Sequence, residues 1–169
     1  ARNKKIGLDP FSGFSIGAFP LYPKSRGSTH LQSSNPLEPP IIKANYLSEK
    51  YDQELTVKGL HLVRKIISQP SISPHVIREV RPGDKIKDDE GLLNYARDNG
   101  QTSWHQISTC RMGKSKLDVV NYKLQVYGTE NLRVVDSSIM PNMPTSNTNA
   151  PSIVIGEKGA DLILKDAEM

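Results

Sequence analysis

The chain has 169 residues, a formal net charge of +4 from 22 basic and 18 acidic side chains, 36% hydrophobic residues and 6% aromatics; that length supports one domain with its own core, but the apolar share is lean for it. The basic residues are dispersed among acids, with no stripe interleaved with aromatics, which argues against nucleic-acid binding, and no apolar run approaches the roughly 18 residues of a membrane span. Cys110 is the single cysteine, so an internal disulfide framework is excluded and the redox compartment stays open.

The chain opens on Ala1-Arg2-Asn3-Lys4-Lys5, basic but followed by no apolar stretch, so it does not read as a secretion signal and the cytoplasm is the favoured location. The missing initiator methionine raises the expectation of a segment from a longer protein. Residues 15–22 and 27–32 flank the turn signal Pro23-Lys24-Ser25-Arg26-Gly27 and read as two short strands. Three prolines in 35–40 predict an extended crossover. The clearest helix is 48–68: Ser48 suits the N-cap, Glu49 and Asp52 suit the positive end, and Pro70 closes it. Leu55, Leu62, Val63, Ile66 and Ile67 recur there at helical spacing.

Residues 76–80 alternate like a strand before Pro82-Gly83, and Asp88 to Asp98 reads as a second helix stopped by Asn99-Gly100. Residues 124–127 and 132–136 read as strands around Gly128-Thr129-Glu130-Asn131. The last element is a helix over 150–165 with Pro151 in its first turn and with Gly156 and Gly159 on one face, where another backbone can approach. No internal repeat occurs. Strands and helices without regular alternation predict an α+β class: an antiparallel or mixed sheet backed by helices, the first of them packed through Leu55, Leu62 and Ile66.

Four histidines are present, and no two have the spacing of a metal site, so no metal is expected. His61 suits packing or surface within the helix, His75 a solvated loop and His30 a strand. His105 stands apart for its surroundings, Trp104 before it and Thr109-Cys110-Arg111-Met112-Gly113 after it. Asn149, in Asn147-Thr148-Asn149-Ala150-Pro151, has a complete structural explanation as a helix N-cap. The two together also suit an alcohol: histidine takes a proton near neutral pH, and a neutral amide can hold the resulting oxygen. A helix start stabilises an anion, so residues 147–152 would suit the N1–C2=O edge of a reduced flavin. Cys110 reads as a small apolar residue rather than a nucleophile, and Ser137-Ser138 lack a nucleophile elbow. Asp136 is either a turn former or a cofactor ligand. No glycine-rich pyrophosphate loop occurs, so the hydride acceptor must be held elsewhere.

Taken in order, these segments resemble the C-terminal portion of the glucose–methanol–choline (GMC) family of flavin-dependent oxidoreductases, nearest the choline-dehydrogenase-like branch. The resemblance covers nearly the whole chain. It rests on Pro23–Gly27 with Ser34-Asn35-Pro36 and Pro39-Pro40, on His105 with Thr109–Gly113, on Leu132–Pro141, and on Asn147–Pro151 with Ile155–Asp161. Ser108 departs from it, standing where glycine is usual.

The resemblance implies that His105 is the catalytic histidine and Asn149 its partner, a position held by His or Asn among members. It implies FAD contacts from Asp136, Ser137, Asn147, Thr148, Ala150 and Pro151. It implies a substrate-binding domain in 1–130 and, in 131–169, a segment completing an FAD domain whose dinucleotide-binding region lies N-terminal to this portion. The expected reaction is oxidation of a primary alcohol to an aldehyde, the hydroxyl proton passing to His105 and hydride to flavin N5. Partners are then the alcohol and the protein's own N-terminal FAD-binding region. Alternatives are a hydroxynitrile lyase or a redox-inactive binding module on the same scaffold. Without its cofactor half, the chain should expose apolar groups such as Ile139, Met140 and Met143.

Overall fold

A computed structural model describes residues 9–145 and 147–168. The chain forms two compact units, Ala1–Pro20 with Lys50–Gly100, and Leu21–Glu49 with Gln101–Met169. The architecture is α+β, with three α-helices and a two-stranded antiparallel sheet among the described residues. No helix among them is long and apolar enough to cross a membrane.

The first unit is built on two helices, α1 (Lys50–Ile67) and α2 (Asp89–Asn99), packed on each other. Leu92 is fully buried and Val57 nearly so. The buried face of α1 therefore runs through Asp52 and Val57, while Leu62 and Ile66 of the expected apolar row are exposed. That departs from the sequence expectation: within its unit α1 packs on α2, and the face carrying Asp52 and Val57 is the one buried. Asp52 lies in the first turn, where the helix start favours a carboxylate.

Asp88 is the N-cap of α2, accepting from the Gly91 N–H at 2.8 Å, which holds its carboxyl below the usual carboxylate range. Arg64 fixes the intervening segment with a two-pronged contact to Glu79 (3.0 and 2.9 Å) and a bond to the Ile86 carbonyl at 2.7 Å. Residues 76–79 form no strand, although Val76 is extended (φ −111°, ψ 114°), and Ile77 is fully exposed. Alternation reports an extended chain; a ladder also needs a partner, and none lies beside this segment among the described residues.

In the second unit, β1 (Ser28–His30) pairs antiparallel with β2 (Ile41–Lys43) in the register Ser28↔Lys43 and His30↔Ile41. Only the second of the two strands expected near the N-terminus forms; residues 15–22 are irregular, and the partner comes from beyond the proline-rich crossover instead. Gly27 sits where the backbones converge, and a Cβ there would lie 2.4 Å from the Lys43 carbonyl oxygen.

The expected strands at 124–127 and 132–136 are reduced to single bridges, Val120↔Val126 and Gln125↔Arg133. They still form a hairpin-like turn, with Val126 N–H bonding the Leu132 carbonyl at 3.0 Å and Val134 N–H the Leu124 carbonyl at 3.1 Å. Gly128 (φ 75°) and Asn131 (φ 57°) take left-handed backbone in this turn, the residue types that tolerate it best. Val120, Leu124 and Ile139 form the core, and α3 (Asn149–Ala167) packs on it through Ile155 and Leu162.

Two expectations fail here in an informative way. Ile139 and Met140 are buried, at 5% and 8% exposure, and Met143 is half-buried. Exposed apolar side chains of this unit include Ile153 and Val154 of α3 and Trp104. Gly156 faces open space, so of the two helix glycines only Gly159 permits close approach. A Cβ on Gly159 would lie 2.2 Å from Val135 Cγ1.

Candidate active site at His105 and the start of α3

The histidine segment lies alongside the segment following Asp136. Cys110 N–H bonds the Ser138 carbonyl at 3.1 Å, and Met112 N–H bonds the Ile139 carbonyl at 2.9 Å. Ser137 Oγ donates to the Gln106 carbonyl at 3.3 Å. Ser108 Oγ donates to the Met140 carbonyl at 2.6 Å from a left-handed backbone (φ 70°). Asp136 turns its chain: its carboxylate accepts from Ser138 N–H at 2.7 Å and caps the 3-10 turn Ser137–Ile139. That turn is what drives Ile139 and Met140 into the core rather than leaving them exposed.

Beyond His105 the chain is pinned by Asp118. Arg111 Nε donates to it at 2.5 Å and Ser115 N–H at 2.6 Å. These contacts, the Ser115 bond first, hold its carboxyl below the usual carboxylate range. Gly113 is required there, because a Cβ would sit 2.2 Å from Asp118 Oδ2. The far end of α3 is tied down by Asp166, which bonds Lys123 Nζ at 3.0 Å and also Arg133, and whose carboxyl both cations hold low.

At its other end, α3 begins beside His105. The His105 ring is half-buried, and its Nδ1 lies 2.9 Å from Thr148 Oγ1, across 43 residues of sequence. Thr148 is the N-cap residue of α3, with 7% exposure, but its side chain caps nothing in its own helix. Asn149, expected as the cap, is the first helical residue. Asn147, Asn149 and Ala150 are exposed and Pro151 is half-buried in the first turn, where its lack of an N–H costs little. The structure thus brings His105, Thr148 and the start of α3 together, with Ser137 bonded to the backbone next to His105. Of the remaining histidines, His61 pairs with Asp89 at 2.8 Å on the surface, and His30 and His75 are exposed. Among the described residues no group of three or more His, Cys, Asp or Glu could hold a metal.

The family model for GMC oxidoreductases matches residues 23–156. The chain belongs to the GMC oxidoreductase family. Relatives of this GMC oxidoreductase chain include an "alcohol dehydrogenase [acceptor]" of Pseudomonas putida, 41% identical over 157 residues, 93% of this chain and 28% of that protein. An "oxygen-dependent choline dehydrogenase" of Pseudomonas syringae pv. tomato is 40% identical over 89% of this chain and 27% of its own length. Among solved structures, an FAD-dependent oxidoreductase from Chaetomium thermophilum superposes with a TM-score of 0.80 at 29% identity, over 88% of this chain and 26% of that one. The chain therefore spans little more than a quarter of the curated relatives it matches.

Ser108 now has a physical reading. A left-handed φ explains why glycine suits this position, and serine offsets its strain with the bond to Met140. Ser108→Ala should keep the strain and lose the bond, costing about 0.5–1.5 kcal/mol. Ser108→Gly should come out near neutral, because relief of about 1–2 kcal/mol of left-handed strain offsets the same loss. Denaturant midpoints of the full-length variants distinguish them: equal midpoints for Ala and Gly would contradict the strain argument.

Proposed function

We propose that this chain is the substrate-facing C-terminal portion of an FAD-dependent oxidoreductase that converts a primary alcohol to an aldehyde. The single observation that carries the proposal is the His105–Thr148 hydrogen bond, which holds the histidine against the residue immediately before Asn149. In this reading residues 1–130 line the substrate and 131–169 complete the flavin domain, with the protein's N-terminal region as the other partner.

His105 is the proton acceptor. With Nδ1 engaged by Thr148, Nε2 is the ring atom left to take the hydroxyl proton, and it has no partner among the described residues. Asn149 carries an exposed amide that donates hydrogen bonds without becoming charged, and it is assigned to hold the developing alkoxide. The start of α3 fits the cofactor. Its first turn has no side-chain cap, and Asn147, Asn149 and Ala150 are exposed, so the positive end of the helix is open to an anionic ring edge. Asn147, Ala150 and Pro151, with Thr148 through its backbone only, would hold the flavin there, together with Ser137 and the carboxylate oxygen of Asp136 not used in its turn. Bound FAD would supply the two-electron acceptor, taking hydride from the alcohol carbon at N5. The names of the Pseudomonas relatives support the substrate class.

The test is product identification. The full-length enzyme, given a panel of primary alcohols and an electron acceptor, should release the matching aldehydes with one acceptor reduced by two electrons per turnover. Turnover of cyanohydrins to aldehyde and cyanide with no acceptor reduced would instead make it a lyase, and binding without turnover of either would make it a redox-inactive module.

A further inference from the structure

Thr148 stands at the N-cap of a 19-residue helix, and threonine is a residue type chosen for capping, yet it makes no capping bond. Its backbone is helical (φ −82°, ψ −3°) rather than extended, which turns the hydroxyl away from the free N–H groups of the first turn. The Thr148 carbonyl meanwhile takes two bonds from Ser152, N–H at 3.0 Å and Oγ at 2.6 Å, which anchors this residue to its helix without the hydroxyl. The hydroxyl goes to His105 Nδ1 at 2.9 Å, and the residue is 7% exposed. A buried hydroxyl withdrawn from its local partner and directed at an imidazole is the arrangement that fixes a histidine's tautomer and ring angle.

We infer that Thr148 is a positioning residue for His105: its Oγ1 accepts from Nδ1–H, so that the ring is held with Nε2 unprotonated and ready to take a proton. The role as proton acceptor rests on the functional reading above; the tautomer rests on the hydrogen bond alone. It changes the part expected of the Thr148 side chain, which serves the histidine rather than the flavin. The opposite assignment, Thr148 donating to Nδ1, would put the proton on Nε2 and leave His105 unable to act as base through that atom.

The experiment compares full-length Thr148→Val, which keeps the shape and loses the hydroxyl, with Thr148→Ser, which keeps the hydroxyl. Flavin reduction at saturating alcohol should slow about 10-fold in the valine variant, the upper range of one hydrogen bond's net worth expressed as a rate. KM and FAD content should be unchanged. The serine variant should return to within about twofold of wild type. Independently of turnover, 15N spectra of the histidine-labelled enzyme should show His105 as the Nδ1–H tautomer in wild type and in Thr148→Ser, with that preference lost in Thr148→Val. Unchanged flavin reduction in Thr148→Val, equal slowing in both variants, loss of FAD from the valine variant, or an Nε2–H tautomer in wild type would each overturn the inference. If the spectra come out as expected but no alcohol reduces the flavin of the wild-type enzyme, the positioning stands and the alcohol-oxidation reading falls.

Discussion

Full-length His105→Ala enzyme should lose kcat by about 10²–10⁴-fold, the range for removal of a positioned general base. The alcohol hydroxyl is a weak acid, and without an acceptor for its proton the carbon–hydrogen bond must break from the neutral alcohol. The loss should fall on kcat and kcat/KM together, because in the proposed role His105 acts on charge that develops in the transition state. FAD should remain bound. The ring is half-buried, and the segment that follows it is held independently by the bonds of Ser108, Cys110 and Met112 to the 138–140 stretch. Steady-state kinetics with flavin content measured on the same sample checks both halves, and near-normal turnover in His105→Ala would remove the histidine from the mechanism.

Gly159→Val should destabilise the protein by about 2–3 kcal/mol, the upper part of the range for inserting atoms into a packed contact. The first added carbon already falls 2.2 Å from Val135 Cγ1, and Val135 is a branched side chain with little freedom to move aside. The slightly better helix propensity of valine over glycine, a few tenths of a kcal/mol, offsets little of this. The contact positions α3 against the segment leading into Asp136, so displacement there should propagate to both ends of the candidate site. Adding Val135→Ala to the glycine variant should recover stability beyond the sum of the single effects, as expected for residues in direct contact. Thermal or denaturant unfolding of the four proteins measures the coupling; strictly additive effects would show that the clash is relieved elsewhere.

The helices were legible because their signals are local. Apolar spacing marked α1 to within two residues, the run from Asp88 to Asn99-Gly100 marked α2 to within one, and Pro151 marked the first turn of α3. Of the expected strands, only the one over 27–32 forms, as β1. Alternation in 15–22 and 76–80 reports only extended chain, whereas pairing depends on which segment lies alongside, and no local pattern carries that. Ile139 and Met140 were misjudged for a related reason: their burial follows from the Asp136-capped turn, whose direction is set by the bonds to 110–112.

At the site, His105 and the 147–151 run stood out as chemistry, since their residue types and neighbours are unusual together. The hydrogen bond between His105 and Thr148 was not legible, since it spans 43 residues and links a histidine to what reads as an ordinary cap. Ser108 did leave a signal: a serine at a position where the resembled family favours glycine points to left-handed backbone, which φ of 70° bears out. The Asp118 and Gly113 contact left only the glycine itself as a clue.

The central claim is that this chain's histidine serves alcohol oxidation by a flavin bound across the rest of the protein. The most direct measurement mixes the full-length enzyme anaerobically with a primary alcohol and follows the flavin's visible absorption. Complete bleaching in a single turnover is expected, with one aldehyde formed per flavin and bleaching slowed by about 10²-fold or more in His105→Ala. A flavin that stays oxidised with every primary alcohol tested, or one that bleaches equally fast without His105, would contradict it.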